Sequence, residues 1–345
     1  MKTNKNKNIT NLNIRDFESP QLGYYIKTYQ RDSALRHSPS TKKSNNSRCN
    51  VIYSAFGNVD ITTLNYDTVS EFIAELHQSS SNKTVNEYLT VLRAIFNIAV
   101  SNGVVDRCPL QDVENLQTLD SEINPFTLAE IKLMNNAQVS EHNEKALVLF
   151  TVLTGLRISE VLPLTWDDVD FKNGTINVKR ALVDGILKVP KTKGSAREVS
   201  LCEIAIKILE EQKRRTFALP PQTVNLLRED NKTMTAIACP FIFVQTKSQK
   251  AFLNVKQFQK NFFTPFLKSL GIKHRGPSHL RHTYASQSLS SGISKEWIAK
   301  QLGHTSTAMV SKHYAKWIQS DMPDYCKTCD DHFKGVFFKE EDEDE

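Results

Sequence analysis

Ser278-His279-Leu280-Arg281-His282-Thr283-Tyr284-Ala285-Ser286, then Trp297-Ile298-Ala299-Lys300-Gln301-Leu302-Gly303-His304-Thr305, then His313-Tyr314-Ala315-Lys316-Trp317, is the stretch from which this chain is best read. Arginine, histidine and tyrosine alternate here with short helical patterns. An arginine grips a phosphate through two parallel hydrogen bonds, and a tyrosine hydroxyl can attack phosphorus covalently. Each residue also has a plainer reading. Arg281 falls in the first turn of a helix expected to start with Ser278 as its N-cap, where anions are favoured; an arginine there equally suits a salt bridge. His304 follows Gly303 in a turn between a helix running from Ser294 and another starting near Thr307, a common place for a capping histidine. Tyr314 shares a face with Val310 and Trp317 at i, i+4 and i+7 spacing, which suits a core tyrosine. His282 and Tyr284 read as structural.

Two motifs upstream carry further cations. Arg157 lies in Thr154-Gly155-Leu156-Arg157-Ile158-Ser159-Glu160. A buried helix ends just before it, so the glycine can place its guanidinium at a protected site; the alternative is a surface arginine paired with Glu160 at i+3. Lys191 and Lys193 lie in Pro190-Lys191-Thr192-Lys193-Gly194-Ser195-Ala196-Arg197, between two strand candidates. A hairpin tip there can push an ammonium into a cleft, to protonate a departing oxygen or neutralise phosphate charge. The alternative is a solvated basic turn.

The order and spacing of these motifs say more than any one of them. The series Thr-Gly-Leu-Arg-Ile-Ser-Glu, Lys-Thr-Lys-x3-Arg, Leu-Arg-His-Thr, Leu-Gly-His-Thr and Tyr closely resembles the tyrosine recombinase (phage integrase) family, over about residues 125 to 318. The run from Trp297 to His304 is similar to integrases of bacterial mobile elements in particular. The helical region from about 45 to 118 resembles that family's core-binding domain. The resemblance implies a mainly α fold with a small antiparallel β-sheet: a helical core-binding domain and a mixed α/β catalytic domain. It implies Arg157 and Arg281 as the catalytic arginines, Lys191 as the lysine with Lys193 as its understudy, His304 as the downstream histidine and Tyr314 as the nucleophile. It implies no cofactor and no metal, because two guanidiniums supply the charge an ion would give. Its partners would be double-stranded DNA attachment sites, clamped by both domains, with a homotetramer on two sites and an accessory DNA-bending or directionality factor. The location implied is the bacterial cytoplasm, at the nucleoid. The sequence departs from the family at Ser278, where a histidine is usual; His279 is one step out of register. The spacing from His304 to Tyr314 is one residue longer than in many members. A catalytically silent DNA-binding regulator and a type IB topoisomerase are the competing readings.

The rest of the chain fits around this core. At 345 residues two domains are expected. We read residues 1–20 as a flexible Asn/Lys-rich terminus, 21–118 as the helical DNA-binding domain, 125–320 as the catalytic domain and 321–345 as a tail. Helices are expected from Tyr24 to Arg36, Asp67 to His77 and Thr84 to Ser101, the last capped by Gly103. Residues 37–48 are basic and unpatterned and read as a loop or a segment ordered on binding. Thr127 with Glu130 makes a capping box, residues 143–154 form a buried helix ended by Gly155, and a short helix follows over Arg157–Leu164. Strands are expected at 175–178, after the turn signal Asn173-Gly174, and at 185–189 and 197–201; helices should dominate from about Glu203 to Ser320.

Hydrophobic residues make up 39% and charged residues 24%, which is globular rather than disordered. The net charge of +6 hides six consecutive acidic residues, 340–345; setting them aside leaves +12 on the remainder, suited to a polyanionic partner. No apolar run is long enough to span a bilayer, and Met1-Lys2-Thr3-Asn4-Lys5 leads into no apolar segment, so no secretory leader is expected. The six cysteines are scattered, as suits reduced thiols. Cys326-Lys327-Thr328-Cys329 with His332 lacks the second pair that a structural zinc needs.

Overall fold

The computed structural model describes residues 8–118, 123–189, 196–314 and Lys327, with backbone alone for 312–314. The chain divides into two compact units, Met1–Ser121 and Glu122–Glu345, each described by itself.

Among the described residues the first unit contains four α-helices: α1 (Leu22–Arg36), α2 (Pro39–Phe56), α3 (Tyr66–Ser79) and α4 (Asn82–Ser101). The stripe Val85, Leu89, Leu92, Ile95, Phe96 and Ala99 buries one face of α4. Ser81 caps its start, accepting from the Thr84 N–H. Gly103, at φ +69°, ends it, and the Val104 N–H reaches back to the Ala99 carbonyl. Opposite this stripe lie Tyr25 and Ile26 of α1 and Ile52 of α2, all fully buried. Two expectations are corrected here. Residues 8–20 are not loose: they form two short 3₁₀ turns, and Ile9 and Phe17 enter the core. Residues 37–48 are not a loop: α2 runs through them from Pro39. Proline suits a helix's first turn, and three buried side chains, Asn45, Cys49 and Ile52, suffice to dock an otherwise polar helix.

The second unit opens with α5 (Leu128–Asn136), started by the capping box: Thr127 Oγ1 accepts from the Glu130 N–H, and Glu130 accepts from the Thr127 N–H. Next comes α6 (His142–Thr154), apolar nearly all round and threaded through the main core beside Phe243, Phe258 and Phe263. The short α7 (Ile158–Val161) begins one residue after Arg157, its N-cap, and stops well before Leu164. Strands β1 (Val169–Asp170), β2 (Thr175–Val178) and β5 (Arg197–Ser200) form an antiparallel sheet in the order β1-β2-β5. A second sheet has the order β3-β4-β6-β7, from β3 (Ala181–Val183), β4 (Ile186–Lys188), β6 (Gln222–Leu227) and β7 (Met234–Cys239). Helix α8 (Glu203–Thr216) lies in the crossover that lets β6 pair parallel with β4. The chain continues through α9 (Val255–Phe258), α10 (Thr264–Ser269), α11 (Ser278–Ser290), α12 (Lys295–Leu302) and α13 (Ala308–Tyr314).

The fold is mainly helical with small sheets, as the sequence implies, with two corrections. The β6–β7 hairpin stands where helices were expected: six residue pairs and the Asp230 turn set it. Strands β4 and β5 belong to different sheets. They therefore do not pair with each other as a hairpin, and residues 190–195 between them, where a hairpin tip was expected, lie outside the described residues.

Candidate active site

The site is built around Gly155. At φ +63° it ends α6 in the left-handed region. A Cβ there would stand 2.3 Å from the Tyr284 ring and 2.8 Å from Leu302 Cδ2. Only glycine lets α11 and the end of α12 close on the turn that leads to Arg157.

Arg281, in the first turn of α11, is 7% exposed. Its Nη1 donates to the Gly155 carbonyl at 2.9 Å, and its Nη2 to the Leu302 carbonyl at 2.7 Å. Nη2 also lies 3.0 Å from His304 Nε2. A guanidinium can only donate, so His304 Nε2 is the acceptor. His304 sits just past Gly303, whose φ of +70° turns the chain out of α12. The end carbonyls of a helix lack partners and carry partial negative charge. Arg281 takes that of Leu302, and Arg197 Nε takes that of Gln301 at 3.0 Å.

Arg157 caps α7. Its N–H donates to Glu160 Oε2 and its Nη1 to Oε1, both at 3.0 Å. The i+3 pair that the sequence allowed is thus present, but its carboxylate is buried while the Arg157 side chain stays half exposed. Arg197 grips the same carboxylate, at 2.9 Å to Oε2 and 3.3 Å to Oε1. Burial pushes the Glu160 carboxyl up, but the hydrogen bonds and charge of Arg197, then the charge of Arg157, outweigh it and hold the group below its ordinary value.

Ser278 is not the N-cap of α11. Pro277 holds that position, already helical at φ −58°, and Ser278 is the exposed first helical residue. The fixed proline ring starts the helix one step early. His279, half-buried, turns its Nδ1 to the Gly276 carbonyl at 3.1 Å. Tyr284 packs on Gly155, and burial raises its hydroxyl pKa. Val310 anchors α13 against Ala285, Leu289, Ile298 and Leu302. Tyr314 closes the α13 backbone, ten residues after His304; its side chain lies outside the described residues, as do Lys191, Lys193, Trp317, Cys326, Cys329 and His332. Among the described residues no group of three His, Cys, Asp or Glu could hold a metal.

The structure brings together Arg281 and His304 directly, and joins the Arg157 loop to them through Gly155. Sequence reasoning passed over Arg197, Gln301 and the sharing of Glu160. The available signal was Arg197 itself, the last residue of the Lys-Thr-Lys-x3-Arg motif.

The fold of this chain is similar to that of solved integrases. The Tn1549 transposon integrase, solved with a circular intermediate DNA, matches with a TM-score of 0.70 at 18% identity, over 84% of this chain and 94% of that one. A lambda integrase tetramer bound to a Holliday junction matches with a TM-score of 0.65 at 14% identity, over 85% and 77%. The chain belongs to the phage integrase family: that family's pattern matches residues 127–319, and the phage integrase SAM-like domain matches residues 21–116. Prophage integrase IntR of Escherichia coli K12 is 29% identical over 246 residues, 70% of this chain. The aligned part is 59% of that relative's length.

Proposed function

We propose that the chain is a site-specific DNA recombinase that integrates and excises a mobile element. The observation that carries this reading is the Arg281 guanidinium, which ties the Gly155 turn, the α12 end and His304 into one cluster. In the proposed reaction Tyr314 Oη attacks a backbone phosphorus, and the bond to the 5′ oxygen breaks. A 3′-phosphotyrosyl link forms, and the departing oxygen takes a proton from Lys191, or from Lys193 if the register is shifted. Arg157 and Arg281 hold the non-bridging oxygens and stabilise the charge of the transition state. The link conserves the phosphodiester free energy, so the 5′-hydroxyl of a second duplex reverses the step and the strands are exchanged without ATP. Ser278 offers a hydrogen bond at the start of α11, while proton transfer falls to His304, the lysine or water.

The first unit would contribute α2. Its 18 residues include Lys42, Lys43 and Arg48 and no acidic residue, and both lysines are exposed. Such a face suits phosphates and base edges. The assembly proposed is a tetramer on two attachment sites, joined by an accessory DNA-bending or directionality factor. The segment after Tyr314, with its apolar Val336-Phe337-Phe338, would dock on a neighbouring copy. An apolar groove of about 990 Å³, lined by Leu128, Ile131, Leu153, Tyr284, Ile293 and Trp297, is the surface offered to it. Among the described residues no helix is long and apolar enough to cross a membrane; action on attachment sites would place the protein with the bacterial chromosome in the cytoplasm.

The test uses a plasmid carrying two attachment sites cloned from the junctions beside the gene. Recombinant product is expected. Relaxed plasmid without recombinants would indicate a topoisomerase, and bound but unchanged DNA would indicate a silent regulator.

A further inference from the structure

We propose that Arg197 is a positioning residue of the strand-cleavage reaction: it locks the strand that follows the lysine segment to the helix end that carries His304. The proposal rests on the recombinase reading above and gives a role to Arg197, which the reaction proposed there does not use.

Arg197 opens β5, directly after the segment containing Lys191 and Lys193. Its Nε donates to the Gln301 carbonyl at 3.0 Å. At the other end of the strand, the Ser200 N–H donates to Gln301 Oε1 at 3.2 Å. Both ends of β5 are therefore tied to one residue in the last turn of α12. The side chain also runs along Gly303: a Cβ there would meet Arg197 Cδ at 2.9 Å and Nε at 3.0 Å. His304 is the next residue and touches Arg281. These contacts join the strand that follows the lysine segment to the turn that carries the histidine.

Arg197 is not placed to grip DNA itself. Its guanidinium is committed within the protein: both Nη atoms are forked on Glu160, and Nε is held by the Gln301 carbonyl. That carboxylate also holds Arg157, whose side chain is half exposed. Of the two arginines, Arg157 is the one a phosphate can draw away.

The experiment measures single-turnover covalent attachment by the full chain to a nicked attachment-site duplex that traps the cleaved strand. Arg197→Ala is expected to slow attachment by on the order of 10²-fold, the scale of a small misplacement of reacting groups, with site affinity within about twofold of the unmodified protein. A substrate with sulfur at the 5′ bridging position should restore most of that rate, because a thiolate leaves without the lysine's proton. Arg197→Lys should recover only part of the oxygen-substrate rate, since one ammonium cannot fork Glu160 and reach Gln301 together. Gly303→Ala should slow attachment too, and add less in an Arg197→Ala background, where the side chain it would strike is gone. If Arg197→Ala does not fold, Arg197→Lys carries the same sulfur comparison. A variant that attaches at the unmodified rate once bound, or that is slow on oxygen and sulfur alike, overturns the proposal alone. An unmodified protein that forms no adduct overturns the recombinase reading, and this proposal with it.

Discussion

Glu160 serves two guanidiniums with one carboxylate, and its ionisation should be visible in stability. Its pKa is held below the ordinary 4.5 of a carboxyl, the arginines outweighing burial. A group depressed in the folded state stabilises above its unfolded pKa, and that contribution is lost as pH falls through the lower folded value. The unmodified protein should therefore lose stability on acidification from about pH 4.5 downward more steeply than Glu160→Gln, as read by urea unfolding across that range. At neutral pH the Gln variant should be less stable by about 3–5 kcal/mol, because Arg197 stays buried without its counter-charge; equal stability would show that the pair carries no net energy. A second expectation concerns the departure from the family at Ser278. A well-placed proton-transfer group contributes roughly 10²- to 10⁴-fold. Ser278 is exposed and His279 is turned to the Gly276 carbonyl, whereas Arg281 is the buried centre of the cluster. Arg281→Ala should thus cost more cleavage than Ser278→Ala or His279→Ala. If His279→Ala is as inactive as Arg281→Ala, His279 is the missing histidine.

At the scale of elements, the turn after α6 has the narrowest tolerance. Gly155→Ala forces a side chain into a left-handed conformation and against the Tyr284 ring. Overpacking alone costs about 1–3 kcal/mol, so thermal unfolding should come several degrees earlier and cleavage should fall as α11 shifts; an unchanged melting temperature would contradict this packing. Elements with strong local signals were legible in the sequence. The α4 stripe with Gly103, the α5 capping box and the apolar α6 with Gly155 all stand where the pattern puts them. Elements set by tertiary pairing were not. Helix α2 buries only three side chains, so its sequence has almost no hydrophobic period, and β6 and β7 are fixed by each other more than by propensity. Of the motif residues, Arg281 and His304 are in contact, and Arg157 follows the Gly155 turn that Arg281 holds. The Arg197–Gln301 tie escaped because its partners are 104 residues apart and one of them is a backbone carbonyl, which no residue type reveals.

For the whole molecule the charge distribution makes the clearest statement. A body of +12 behind an acidic tail should displace counterions from DNA, giving a steep fall of log K with log salt. Replacing Lys42 and Lys43 with alanine should lower that slope by about one for each phosphate no longer neutralised, with folding intact because both side chains are exposed. An unchanged slope would remove the α2 face from the DNA-binding surface. Deleting 340–345 should modestly strengthen non-specific binding; weaker binding would contradict a repulsive tail.

The central claim is that one tyrosine makes a covalent bond to DNA within this cluster, and peptide mapping of the trapped complex tests it most directly. The unmodified protein on its nicked attachment site should yield a DNA-linked peptide containing Tyr314, while Tyr314→Phe should bind the site about as tightly and yield none. A persistent adduct in Tyr314→Phe, or none in the unmodified protein, would contradict the account.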